Sequence, residues 1–112
     1  MTALADQHCA PCNADTAPLD ANDANARLKQ LSDRWAIDAE GQLVAELEFK
    51  NYGATVAFVN AVAYIARREK HHPDISFGYN NCRIALVTHA IDGLSDNDFI
   101  VAARVDRLLD DA

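Results

Sequence analysis

Residues 55–70 constrain the fold more than any other stretch. They are apolar around much of a helical circumference. Val56, Val59, Val62, Ala63 and Ala66 run along one stripe, with Phe58 and Ile65 beside it. A helix apolar beyond a single stripe is expected to pack on more than one neighbour. His71-His72-Pro73 follows directly. Proline excludes its predecessor from the α region, so this helix is expected to end by about His71.

The segments on either side read as sheet. Trp35 and Ile37 begin a short strand, Asp38-Ala39-Glu40-Gly41 is a turn signal, and the next stretch alternates. Leu43, Ala45, Leu47 and Phe49 fall on one face and Val44, Glu46, Glu48 and Lys50 on the other, the period of a half-buried strand. Beyond the helix, Ile75, Phe77 and Tyr79 alternate with smaller residues, and Asn80-Asn81 can take the left-handed geometry of a tight turn. Residues 84–89 return, with Ala85, Val87 and His89 on one face. A first helix is expected over residues 23–31, capped by Asp20 or Asn22. A last helix follows Ser95, whose spacing to Asp98 resembles a capping box, with Arg104 and Arg107 free to face water. The order is α-β-β-α-β-β-α. The expected fold class is α+β: a single four-stranded antiparallel sheet with three helices packed on one face.

The chain has 112 residues, enough for one domain with a modest core. Residues 1–18 show no hydrophobic period and are expected to form a flexible N-terminal arm or an extended segment over the surface, ahead of a domain at 19–112. Residues 1–12 have neither a basic n-region nor an apolar h-region, so no signal peptide is expected and the expected compartment is the cytoplasm. A net charge of −7, with Glu69 inside the only basic cluster, argues against direct nucleic-acid binding and an anionic membrane. Cys9, Cys12 and Cys82 imply no disulfide framework. Cys9-x-x-Cys12 has zinc-like spacing but lacks the second pair that a four-ligand site needs.

Chemistry is concentrated in three histidines. A hairpin over residues 74–88 runs out and back, so its two ends lie side by side. His71 and His72 enter it and His89 leaves it. Three converging imidazoles suit proton transfer near neutral pH. They also suit a catalytic zinc, although adjacent ligands rarely point at one ion and no i,i+4 pair is present. Taken singly, each is better read as a helix end or a strand end.

The ordered set His71-His72-Pro73, Tyr79, His89 and Asp98 resembles the pterin-4a-carbinolamine dehydratase family. Residues 88–98 look like that family's Thr-His … Gly-Leu-Ser … Asp segment, and the resemblance spans about residues 28–108. It implies dehydration of a 4a-hydroxytetrahydropterin to the quinonoid dihydropterin, in tetrahydrobiopterin recycling after an aromatic amino-acid hydroxylase. The catalytic residues implied are His71, His89 and His72, and the substrate-binding residues are His72, Pro73 and Asp98. No metal and no other cofactor is expected. Tyr79 is expected to pack. A homodimer or homotetramer is expected, both from the resemblance and from exposed sheet edges. One departure is Arg67, where the family usually has Glu, Asp, Lys or His; arginine cannot accept a proton. Two other functions are compatible with the resemblance: a protein-binding regulatory module, since vertebrate members double as a dimerisation cofactor for a homeodomain transcription factor, and action on another pterin, as in molybdopterin metabolism.

Overall fold

The computed structural model describes residues 3–13 and 15–110. Three α-helices and four strands follow in the order α1 (Ala21–Leu28), β1 (Trp35–Ile37), β2 (Leu43–Glu48), α2 (Tyr52–Glu69), β3 (Asp74–Phe77), β4 (Asn81–Leu86) and α3 (Asp96–Asp110). Short 3-10 turns stand at Leu4–Asp6 and His89–Ile91. The expected α-β-β-α-β-β-α order and α+β class hold.

The first two helices start where the sequence supplies a cap. The Asp20 carboxylate accepts the Asp23 amide at 2.8 Å and opens α1. The Asn51 side chain accepts the Ala54 amide at 2.8 Å, so α2 begins at Tyr52, ahead of the expected start at residue 55. At its other end Lys70 turns left-handed (φ 56°), and the His71 amide returns to the Ala66 carbonyl at 3.2 Å. This reversal ends the helix three residues before Pro73 and sends His71 and His72 toward β3.

The sheet is antiparallel in the order β1-β2-β4-β3. The β2–β4 register sets Leu43 opposite Leu86, Ala45 opposite Ile84 and Leu47 opposite Cys82. These pairs build one apolar face, and Leu43, Ile84 and Leu86 are wholly buried. Val62 of α2 and Phe99, Val101 and Val105 of α3 join them in the core.

The buried stripe of α2 is Thr55, Phe58, Val62, Ala66 and Glu69. It is narrower than expected and rotated: Val56 and Val59 are half-buried and Ala63 is exposed. Two contacts set this rotation. The Thr55 hydroxyl bonds both the Asn51 and Tyr79 carbonyls at 2.9 Å, and the Phe58 ring lies 5.0 Å from that of Phe49.

Trp35 is buried against α3, and its indole N–H donates to Asp106 Oδ1 at 2.9 Å. Asp106 also accepts from the Ser32 amide and hydroxyl and from Arg34, tying β1 to the last helix. Arg104 and Arg107 do not face water freely. Arg104 donates to the Gln7 carbonyl and Arg107 pairs with Asp6 at 2.8 Å, so both hold the N-terminal segment along α3. Leu4 of that segment is part of the core.

Candidate active site

The β3–β4 hairpin places the histidines. Asp74 pairs with Ala85, so the residues just before Asp74 lie beside those just after Ala85. His71, His72 and His89 all line one cleft of about 340 Å³, together with Lys70, Val87, Thr88, Ala90, Asn97 and residues 10–12. A larger cavity of about 550 Å³ lies against α3 near Leu4 and Leu31, and no histidine lines it.

The three imidazoles are held differently. His71 Nε2 meets Asp98 Oδ1 at 2.6 Å. Asp98 has no exposed surface, and its second oxygen accepts from the Thr88 hydroxyl at 2.8 Å and the Ser95 amide at 2.9 Å. Thr88 has one hydroxyl proton and gives it to Asp98, so the Ser95 hydroxyl donates to Thr88 at 2.6 Å. Asp98 is therefore both the third residue of the helix, closing half of the capping box on the Ser95 amide, and the anchor of His71. Its partners fix the ring: Nε2 carries the hydrogen toward Asp98 and the neutral imidazole keeps its lone pair on Nδ1.

His89 opens the 3-10 turn, and Asp92 closes it in the left-handed region (φ 49°). A bridge between Thr88 and Gly93 clamps the base of this loop, with the Thr88 amide on the Gly93 carbonyl at 2.9 Å. His89 thus stands on a braced loop with its ring exposed. His72 is exposed as well, and it lines a second hollow with Arg67, Lys70, Pro73 and Ile75.

Pro73, expected among the substrate-binding residues, faces that second hollow. Asp98, expected in the same group, lies behind His71. Arg67 is exposed there too and does not line the histidine cleft. Tyr79 is at the far end of the hairpin, 64% exposed, with its ring 6.4 Å from that of Tyr52; it is not packed in the core. Among the described residues, no three His, Cys, Asp or Glu side chains are grouped to hold a metal ion. No helix of the described residues is long and apolar enough to cross a membrane.

Sequence reasoning missed Thr88, Glu69, Asn97 and the approach of residues 10–12. Thr88 and Ser95 were in view only as motif letters. Glu69 looked like one acid in a basic run, yet it is buried and is met by His8 Nδ1 at 3.0 Å and the Cys9 amide at 2.8 Å. Burial works to raise its pKa. The Cys9 amide, His8 and Arg104 outweigh burial and hold the carboxyl below its ordinary 4.5.

The chain is similar to known proteins in sequence and in fold. The family model described as pterin 4 alpha carbinolamine dehydratase matches residues 17–108. A curated relative from Nitrosomonas eutropha, named "Putative pterin-4-alpha-carbinolamine dehydratase", is 51% identical over 106 residues, covering 95% of this chain and 93% of its own length. A relative of the same name from Legionella pneumophila is 43% identical over 109 residues, covering 96% of each chain. Among solved structures, a transcriptional coactivator/pterin dehydratase from Brucella melitensis superposes with a TM-score of 0.76 at 25% identity, covering 81% of this chain and 97% of that one. A pterin dehydratase-like protein described as a RuBisCO assembly factor in the alpha-carboxysome gives 0.58 at 30% identity, over 66% of this chain and 87% of its own.

Proposed function

Because the chain belongs to the pterin-4-alpha-carbinolamine dehydratase family, we propose that it dehydrates a 4a-hydroxytetrahydropterin by histidine acid–base catalysis. The observation that carries this reading is the convergence of His71, His72 and His89 on one cleft, with His71 anchored by the buried Asp98.

In the reaction the C4a–O bond breaks and the departing hydroxyl takes a proton, leaving as water. N5 loses its proton, and the electron pair forms the C4a–N5 double bond of the quinonoid dihydropterin. No electrons enter or leave, so the step needs only a donor and an acceptor. His71 and His89, which both line the cleft, supply these. His71 is held in place by the buried Asp98 carboxylate, and His89 is exposed on its braced loop. His72 binds and orients the ring. Pro73 stiffens the backbone beside the pair, and Asp98 acts through His71 as a positioning residue.

The test is steady-state dehydration with thermal melts. His71→Ala and His89→Ala should fold normally and lose roughly 10²–10⁴-fold in kcat, the range of a positioned acid or base. His72→Ala should raise KM more than it lowers kcat. Activity should survive a chelator. Loss of turnover in chelator with recovery on added zinc would overturn the mechanism.

A second reading is a protein-binding module. The solved relatives described as a coactivator/dehydratase and as an assembly factor support it, as do the exposed aromatics Tyr52, Tyr64, Phe77 and Tyr79. Wild-type turnover in both His71→Ala and His89→Ala would favour it.

A further inference from the structure

The histidine cleft has a wall that lies outside the family match. That match begins at residue 17, yet Ala10, Pro11 and Cys12 line the cleft beside the imidazoles. Two buried polar side chains hold this segment. Asn97, 7% exposed, grips the Ala10 backbone from both sides: its Oδ1 accepts the amide at 3.0 Å and its Nδ2 donates to the carbonyl at 2.7 Å. The same Nδ2 lies 3.4 Å from Cys12 Sγ. Glu69 takes the Cys9 amide and the His8 ring, and the Cys9 thiol donates to the Asn97 carbonyl at 3.6 Å. A buried amide or carboxylate stripped of its partners loses its hydration without compensation, so the folded protein favours the seated segment. Both anchors adjoin site residues. Asn97 precedes Asp98, and Glu69 stands two residues before His71.

We infer that residues 10–12 form a substrate-contacting wall of the pterin cleft, with Cys12 as a ligand-contacting side chain. The inference rests on the dehydratase reading and extends it to a segment with no acid–base chemistry of its own. Ala10, Pro11, Val87 and Ala90 give the cleft small apolar surfaces between its imidazoles. That combination suits a flat bicyclic ring, apolar on its faces and polar at its edge. The wall meets the substrate before and during reaction alike, so it contributes to binding and leaves the proton transfers to the histidines.

The cysteines provide a reporter. Burial, with the nearby Glu69 charge, pushes the Cys9 thiol up to about 12, and burial also raises Cys82. Neither forms thiolate readily, which leaves Cys12 as the site of alkylation.

The experiment treats the full chain with N-ethylmaleimide, with and without saturating 7,8-dihydrobiopterin, and follows modification by peptide mass. Bound dihydrobiopterin should slow Cys12 labelling about tenfold or more, and the labelled protein should lose affinity for it by about tenfold, equivalent to 1.4 kcal/mol. Asn97→Ala should raise KM and the dihydrobiopterin Kd by a similar factor and leave kcat within about threefold. A purely structural anchor would instead lower kcat and Tm together. Dihydrobiopterin that binds without slowing Cys12 labelling would overturn the wall and leave the dehydratase reading intact. A wild-type protein that neither binds dihydrobiopterin nor turns over the carbinolamine would overturn both.

Discussion

At the scale of single residues, Asp98 joins a helix cap to an imidazole. Asp98 accepts all three of its hydrogen bonds, and an amide in its place offers only one oxygen. Asp98→Asn must leave either His71 or the Thr88–Ser95 pair without an acceptor. We expect kcat to fall about 10–10³-fold and stability to fall by about 1–3 kcal/mol, read from kinetics beside urea unfolding. Unchanged kcat would detach Asp98 from His71 in function. Glu69 makes a different prediction. Its folded pKa is depressed below 4.5, so its contribution to stability is complete above that value and is lost as pH falls through the folded pKa. The Tm difference between wild type and Glu69→Gln should be widest above about pH 5 and close below it. A gap that stays constant down to pH 3 would contradict this.

At the scale of elements, the left-handed residue after α2 is the clearest point of strain. Lys70 carries a Cβ at φ 56°, where glycine is at ease. Lys70→Gly should stabilise the fold by about 0.5–1 kcal/mol, seen as a higher urea midpoint with an unchanged slope. No gain would mean that the lysine side chain makes compensating contacts. The element level is also where the sequence was most legible. Pro73 announces the end of α2 and alternation marks β2, but the returning strand, expected over residues 84–89, runs over Asn81–Leu86 and leaves His89 in the 3-10 turn; the out-and-back hairpin still brings His71 and His72 to His89. The interior stripe of α2 was less legible because every turn of that helix has apolar residues, and tertiary contacts at Thr55 and Phe58 chose among them. The seating of residues 8–12 was not legible at all. It depends on polar bonds to Glu69 and Asn97, some 60 to 88 positions away, which leave no period in the chain. The bond from Arg104 to the Gln7 carbonyl is illegible for the same reason, whereas Arg107 is exposed as expected while it pairs with Asp6.

At the scale of the whole molecule, the sheet ends in two unpaired edges, β1 and β3. Beside β3 stand exposed aromatics, among them Phe77 at 45% and Tyr79 at 64%. An open edge next to apolar surface is a pairing surface. Light scattering at micromolar concentration should give at least twice the chain mass, and a monomer across that range would contradict it. The cleft, by contrast, is built within one chain from the turn between α2 and β3, the loop after β4, the start of α3 and the segment before α1.

The register of Leu43 with Leu86 also decides how the molecule folds. Each hairpin closes locally, but the two join only when β2 meets β4 across the whole of α2, and that long loop must be closed before any of its contacts repay the lost entropy. We predict that the rate-limiting barrier belongs to this junction, read from refolding and unfolding rates of single variants. Val62, buried where α2 covers the seam, should slow refolding when cut to alanine, whereas changes at the outer strands should mainly hasten unfolding. The histidine cleft needs β4, α2 and α3 in place together, so it takes shape only after that barrier has been crossed.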